Sequence, residues 1–324
     1  MYYLKCFDLL HEWGKIDDTH KEQIKQHTFP AIDSVEAALG PLDILSQRGL
    51  RNKYNNCWSN AAFQLLTGSV ISTLLPHPRN CPTEICRDIQ SVVKRLQASS
   101  YGPLPFTPDT KNIVKNFVKR DQTIMPKQED ACELIEYILE DLCTNSIDDT
   151  SQCFSPAIVT ILSCLTCQAS MAKVHSDQVI LRLHIEDLLI KEMSIQSLLW
   201  NWATNVEAFH LKCTCDSENQ REVTARSLFL RLPTVLFILT DRIQHKDGIM
   251  LRIPLHINET LNLEHVLAGK VANQSVAYRL AAVLSHYGRG SRQGHYICTV
   301  LADNGSAITF DDQAQQPTSV DDFL

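Results

Sequence analysis

No apolar run in the sequence approaches the ~20 residues that a membrane-spanning helix requires. The longest clean runs, such as residues 234–240, have the length of a buried strand. The first residues, Met1 to Phe7, lack a basic leader followed by a long apolar stretch. Nothing there argues for secretion, and an intracellular location, in cytoplasm, nucleus or both, is expected. Positive charge is also in short supply: 30 Lys and Arg against 37 Asp and Glu give a net charge of −7. That counts against nucleic acid as the main partner, because phosphate binding wants a basic surface, and it favours a basic protein or peptide. The 12 cysteines in 324 residues are far too sparse for a disulfide scaffold. No internal repeat or low-complexity tract is present, and 44% hydrophobic with 21% charged residues excludes disorder, collagen and coiled coil.

What is present is a change of period along the chain. Residues 1–48 read as a polar, helical appendage, with Leu4, Phe7, Leu10 and Trp13 at helical spacing. From about 49 to 143 the apolar period is that of helices, carried by Ala61, Ala62, Leu65 and Leu66, then Ile85 to Leu96, Ile113 to Phe117, and Ala131 to Leu142. After Ser155 the pattern turns to strands, predicted at 157–162, 178–183, 227–232, 234–240, 276–285, 296–301 and 307–310. Helices first and strands later predict an α+β fold rather than a doubly wound sheet.

Cys57 lies where a loop enters the first of these helices, after Asn55 and Asn56. An asparagine is a favoured cap, and a thiol in the first helical turn faces partial positive charge that favours thiolate. A solitary helical cysteine is ordinarily just a small buried hydrophobe. Here, however, His295 stands where a glycine-rich loop feeds a strand, as a general base needs, and Asp311 and Asp312 follow the next strand. The order Cys, distant His, Asp is that of papain-like thiol hydrolases. Cys164-x-x-Cys167 and Cys213-x-Cys215 are the only close-spaced thiols and suit a metal better than disulfides.

The residues around these positions carry a resemblance. Gly49, Leu50, Asn52, Asn55, Cys57, Asn60, Gln64 and Leu66 resemble the Cys box of the ubiquitin-specific proteases. Tyr278, Leu280, Ala282, Val283, His286 and Gly288, running into Gly294, His295 and Tyr296, resemble their His box. Gln128, Asp130, Ala131 and Glu133 are similar to the family's Q-Q-D-A-x-E helix start, and Leu232, Pro233, Leu236 and Arg242 to its L-P-x-x-L strand. The resemblance implies a hand-like, papain-like fold with a helical thumb, a β-sheet palm and β-strand fingers. It implies an extension over 1–48 and a catalytic domain over 49–324, with the thumb at about 49–150, fingers and palm at about 151–324, and fingertip knuckles at about 160–218. It further implies a deubiquitinase that cleaves at the carboxyl terminus of ubiquitin on ubiquitinated proteins. Cys57 would be nucleophile, His295 base, Asp311 the orienting acid with Asp312 beside it, and Asn55 the oxyanion donor. Asp130, Glu133, Gln128, Gly294 and Tyr296 would bind the arginine-rich tail that ends in Gly-Gly. Cys164, Cys167, Cys213 and Cys215 would hold a structural zinc ion, with His210 as an alternative ligand.

The pattern has departures. Tyr54 stands where the family has Gly, Asn56 replaces Thr, Trp58 replaces Tyr or Phe, and Ala307 sits where Trp is common. The second knuckle is one residue short, and the family's usual closing strand of A-Y-x-L-x-Y type does not follow Asp312. Two other readings stand beside the leading one: a catalytically inactive ubiquitin-binding pseudo-protease, and a protease for another modifier ending in Gly-Gly.

Overall fold

The computed structural model describes residues 48–53, 55–68, 83–98, 102–120, 128–145, 153–185, 193–204, 207–213, 215–242, 251, 253–268, 276–290, 293–302 and 305–319. The predicted helical appendage up to residue 47, Tyr54 and residues 320–324 lie outside them. The described residues combine helices with largely antiparallel sheets, so the fold is α+β. They divide into two compact units.

One unit holds the four helices α1 (Cys57–Gly68), α2 (Glu84–Leu96), α3 (Pro108–Arg120) and α4 (Ala131–Thr144). With them is a four-stranded sheet of β11 (Ala282–Gly290), β12 (Gln293–Leu301), β13 (Ala307–Asp311) and β14 (Ala314–Thr318), in that order. α2 and α4 are amphipathic: Cys86, Ile89, Val92, Val93 and Leu96 face inward on α2, and Leu134, Ile135, Ile138, Leu139 and Leu142 do so on α4. Each starts at a side-chain cap, Thr83 accepting from the Cys86 N–H and Asp130 from the Cys132 N–H. α1 is different. Eleven of its twelve residues are buried, Leu65 alone excepted, because it packs between the other helices and the sheet. A helix enclosed on all sides cannot show a stripe, and its polar residues must find partners inside. Trp58 on α1, Phe117 on α3 and Tyr137 on α4 form an aromatic row with centroids 5.9 and 5.6 Å apart.

The other unit is built on a second antiparallel sheet, ordered β2 (Ser170–His175), β1 (Ala157–Cys164), β6 (Asp216–Arg231), β5 (Glu207–Cys213). A helix, α5 (Ile195–Thr204), packs on β6. The predicted strands 178–183 and 234–240 shorten to β3 (Leu181–His184) and β7 (Ile238–Asp241), which pair in parallel. Short strands β4 (Met193–Ser194) and β8 (Leu255–His256) pair likewise, and β9 (Thr260–Asn262) pairs with β10 (Ala277–Arg279). The single strand predicted over 276–285 is therefore two, β10 and β11, broken at residues 280–281.

Gly68 ends α1 against β12, and a Cβ there would lie 2.5 and 2.7 Å from the two methyl carbons of Val300. Gly68→Ala should lower stability by about 1–3 kcal/mol through overpacking. In a Val300→Ala background the added cost should shrink, a coupling that urea denaturation of the four chains of the cycle measures.

Candidate active site

The site lies in the unit that carries α1 and β11–β14. Cys57 is the first residue of α1 and is 4% exposed. The turn before it passes through Asn55, which is exposed and adopts φ +56°, a left-handed conformation that asparagine tolerates better than most residues. The backbone N–H of Tyr296 donates to the Cys57 sulfur, so the thiol sits against the start of β12, one residue from His295. The imidazole Nε2 of His295 lies 2.7 Å from Asp311 Oδ1, leaving Nδ1 on the opposite edge of the ring.

Both neighbouring acids come near the imidazole. One ligating atom from each of His295, Asp311 and Asp312 falls within 4.8 Å of the others. Bonding separates them. Asp311 pairs with His295, whereas Asp312 turns away through a residue at φ +53° and accepts from Asn60 Nδ2 at 2.7 Å and Asn52 Nδ2 at 2.8 Å. The Asp312 backbone carbonyl also accepts from the Leu50 N–H at 2.8 Å. Asn52 in turn accepts from the Asn56 N–H at 2.9 Å, and Gln64 donates to the Arg48 carbonyl at 2.7 Å. Gly49 fits because a Cβ there would stand 2.6 Å from the Gln313 carbonyl oxygen. Asn52, Asn60 and Gln64 were visible only as letters of a motif. Their single available signal was an uncharged amide at a buried or turn position, which says that a partner exists without saying which.

Burial pushes the Cys57 thiol up from its ordinary value and Asp312 adds to this, while the Tyr296 N–H works the other way. The helix terminus alone led to the opposite expectation, a depressed thiol. Desolvation of the buried sulfur outweighs it. Burial, helped by Asp130, likewise raises the Tyr296 phenol, whose ring stacks on His286 with centroids 4.4 Å apart. Burial and the nearby His295 lower the His286 imidazole, against the pull of Asp130.

Among the expected tail-binding residues, Asp130 is the α4 cap, its Oδ1 taking the Cys132 N–H at 2.7 Å, and Glu133 is exposed one turn on. Gln128 bonds within the chain, to Gly294.

In the other unit the four cysteine sulfurs converge, all within 4.8 Å of one another. Cys164 and Cys215 approach to 3.9 Å and Cys167 and Cys213 to 3.6 Å. Four sulfurs at about 2.3 Å from one tetrahedral ion would stand about 3.8 Å apart, so the set fits such an ion. The backbone N–H groups of Cys167 and Thr166 pull the Cys164 thiol down to about 6. The short second knuckle is accommodated because β5 ends at Cys213 and β6 begins at Asp216. His210, exposed on β5, is not in the cluster.

A family model described as ubiquitin carboxyl-terminal hydrolase matches residues 48–323. The chain belongs to the ubiquitin carboxyl-terminal hydrolase family. Relatives include ubiquitin carboxyl-terminal hydrolase 20 of Arabidopsis thaliana, 27% identical over 76% of this chain and 37% of the relative. The mouse ubiquitin carboxyl-terminal hydrolase 17-like protein A is 26% identical over 82% of this chain and 52% of its own length. Ubiquitin carboxyl-terminal hydrolase 36 of Drosophila grimshawi is 22% identical over 84% and 24%. The chain thus spans a quarter to a half of the length of these curated relatives.

Because Asp312 opposes ionisation of Cys57, Asp312→Asn should let the thiol titrate at lower pH than in the parent chain. Labelling of Cys57 by iodoacetamide across pH reads this directly. An unmoved midpoint would remove Asp312 from among the groups that set the thiol.

Proposed function

We propose that this member of the family is a thiol-dependent deubiquitinase acting on ubiquitinated proteins within the cell. The observation that supports this best is the alignment of a buried helix-start thiol with the strand carrying a histidine bonded at 2.7 Å to a carboxylate. In this reading His295 accepts the Cys57 proton as sulfur attacks the carbonyl carbon of the terminal glycine, and Asp311 holds the ring and stabilises the imidazolium. Negative charge then develops on the carbonyl oxygen, where the Asn55 amide and the Cys57 backbone N–H would meet it. His295 next gives its proton to the leaving amine, and water cleaves the resulting thioester. Proton transfer to His295 is needed in this scheme because burial keeps the resting thiol protonated.

Asp130 and Glu133 suit an arginine-rich tail, while the Tyr296 N–H meets the thiol and Gly294 lies two residues before Tyr296 on the same strand. The helices of the first unit correspond to a thumb, and the strands bearing the four cysteines to fingertips. There Cys164, Cys167, Cys213 and Cys215 would hold zinc, which when bound would cross-link two hairpin ends where Leu165, Met171 and Leu211 are exposed and not packed into a core.

Cys57→Ala should abolish hydrolysis of ubiquitin conjugates while leaving ubiquitin affinity largely intact. The parent chain, and not the variant, should form an adduct with a ubiquitin propargylamide probe. A parent chain that binds ubiquitin without forming the adduct would favour an inactive binding module, and an adduct only with another Gly-Gly modifier would reassign the substrate.

Elemental analysis of chain purified without chelator should find one zinc per molecule, unchanged by His210→Ala and lost on replacing Cys164 and Cys167 together. Metal-free protein would remove the zinc assignment.

A further inference from the structure

β12 is paired with β11 from Gln293 to Val300, but with β13 only from Cys298 to Leu301. Over residues 294–297 its other edge has no strand partner among the described residues. An open edge offers backbone N–H and C=O groups to whatever can match them. At Gly294 both are taken by one side chain: Gln128 Nε2 donates to the Gly294 carbonyl at 2.7 Å, and the Gly294 N–H donates to Gln128 Oε1 at 3.1 Å. A carboxamide has the donor and acceptor of a peptide group, so Gln128 stands in for one residue of a missing strand. The same Nε2 carries a second hydrogen and lies 3.9 Å from the Cys57 sulfur.

Gly294 can be gripped only through its backbone. A Cβ there would lie 2.3 Å from His286 Nε2 and 2.5 Å from the Tyr287 carbonyl oxygen, so no side chain fits between strand and imidazole. The grip itself is fixed, since Gln128 precedes by two residues the Asp130 cap of α4, which packs on α1.

We infer that Gln128 is a positioning residue, whose carboxamide pins Gly294, and through it His295, beside the Cys57 thiol. The inference rests on the hydrolytic reading above and gives Gln128 a role different from contact with the ubiquitin tail. Loss of the grip frees the residue directly before the base, and misplacement of a reacting group by about 1 Å can cost about 10²-fold in rate.

The test uses the full chain with Gln128→Ala and Gln128→Glu. On a ubiquitin carboxyl-terminal fluorogenic amide, Gln128→Ala should lower kcat by about 10²-fold with KM little changed. Gln128→Glu should be as poor at neutral pH, where a carboxylate repels the Gly294 carbonyl. Relative to Gln128→Ala it should recover as pH falls, because a protonated carboxyl again both donates and accepts. A ubiquitin-free measurement runs beside these: in Gln128→Glu, iodoacetamide labelling of Cys57 should shift to higher pH, owing to the new charge next to sulfur. A raised KM with kcat unchanged in Gln128→Ala would overturn the inference in favour of a tail contact. An unmoved labelling midpoint in Gln128→Glu would also overturn it, by removing the side chain from the thiol. A parent chain that is labelled as expected but cleaves no ubiquitin substrate would sink the hydrolytic reading while leaving the labelling result to stand.

Discussion

The Asp312 carboxylate, held between the amides of Asn52 and Asn60, is the interaction on which the site depends. Asn60 is one turn into α1 from Cys57, Asn52 lies in the segment leading to that helix, and Asp312 follows β13. One side chain therefore joins the nucleophile's helix, its approach loop and the turn that carries Asp311. The Leu50 N–H on the Asp312 carbonyl repeats the tie through backbone. Hydrogen bonds to a charged, half-buried acceptor are worth about 1.5–3 kcal/mol each, roughly twice a neutral pair. That strength is spent on registration of the helix against the sheet.

This explains how two adjacent acids come to have different partners. Simple strand alternation would send them to opposite faces, but Asp312 is not a strand residue. The chain leaves β13 after Asp311 and reverses through a left-handed backbone at Asp312. Asp311 is thus the last residue whose direction the sheet sets, aimed at His295, and Asp312 the first whose direction the turn sets, aimed at α1. Gly49 is required by the same reversal, since the carbonyls of Asp312 and Gln313 press where its side chain would be.

The sequence was legible where a residue's type and its spacing reported on the same thing. Helical periods at 85–96 and 131–142 became α2 and α4 because each buries one stripe. The thiol cluster could be read because sulfur at short spacing has few structural uses. Elsewhere type and spacing diverged. The helix α5 lies within a stretch of strands, and its Leu198, Leu199 and Ala203 are buried by packing of the helix on β6 and its neighbours, which local pattern does not encode. β14, A-Q-Q-P-T, has no β-branched or aromatic residue before its last position, and exists because β13 offers an edge to pair with. The thiol's direction of shift differs from the local expectation because a helix terminus is a feature of adjacent residues, whereas burial, which outweighs it, is a product of tertiary packing of that helix against the sheet and the other helices.

What could not be read from spacing at all was the use of neutral amides. Asn52, Asn60, Gln64 and Gln128 hold the loops, the helix and the strand around Cys57, yet none carries charge. The chemistry supplies a reason. A thiol that must ionise during the reaction responds to every fixed charge nearby, and Asp312 already opposes its ionisation. Positioning by Lys, Arg, Asp or Glu would couple geometry to the thiol's protonation, so that any improvement in one would move the other. Carboxamides bond in both directions with almost no long-range field, and so let the framework be tight while His295 and Asp311 govern the proton. Where the structure does place a carboxylate in the framework, it meets it with two amide donors, Asn52 and Asn60, so that even this one charge is held by neutral partners.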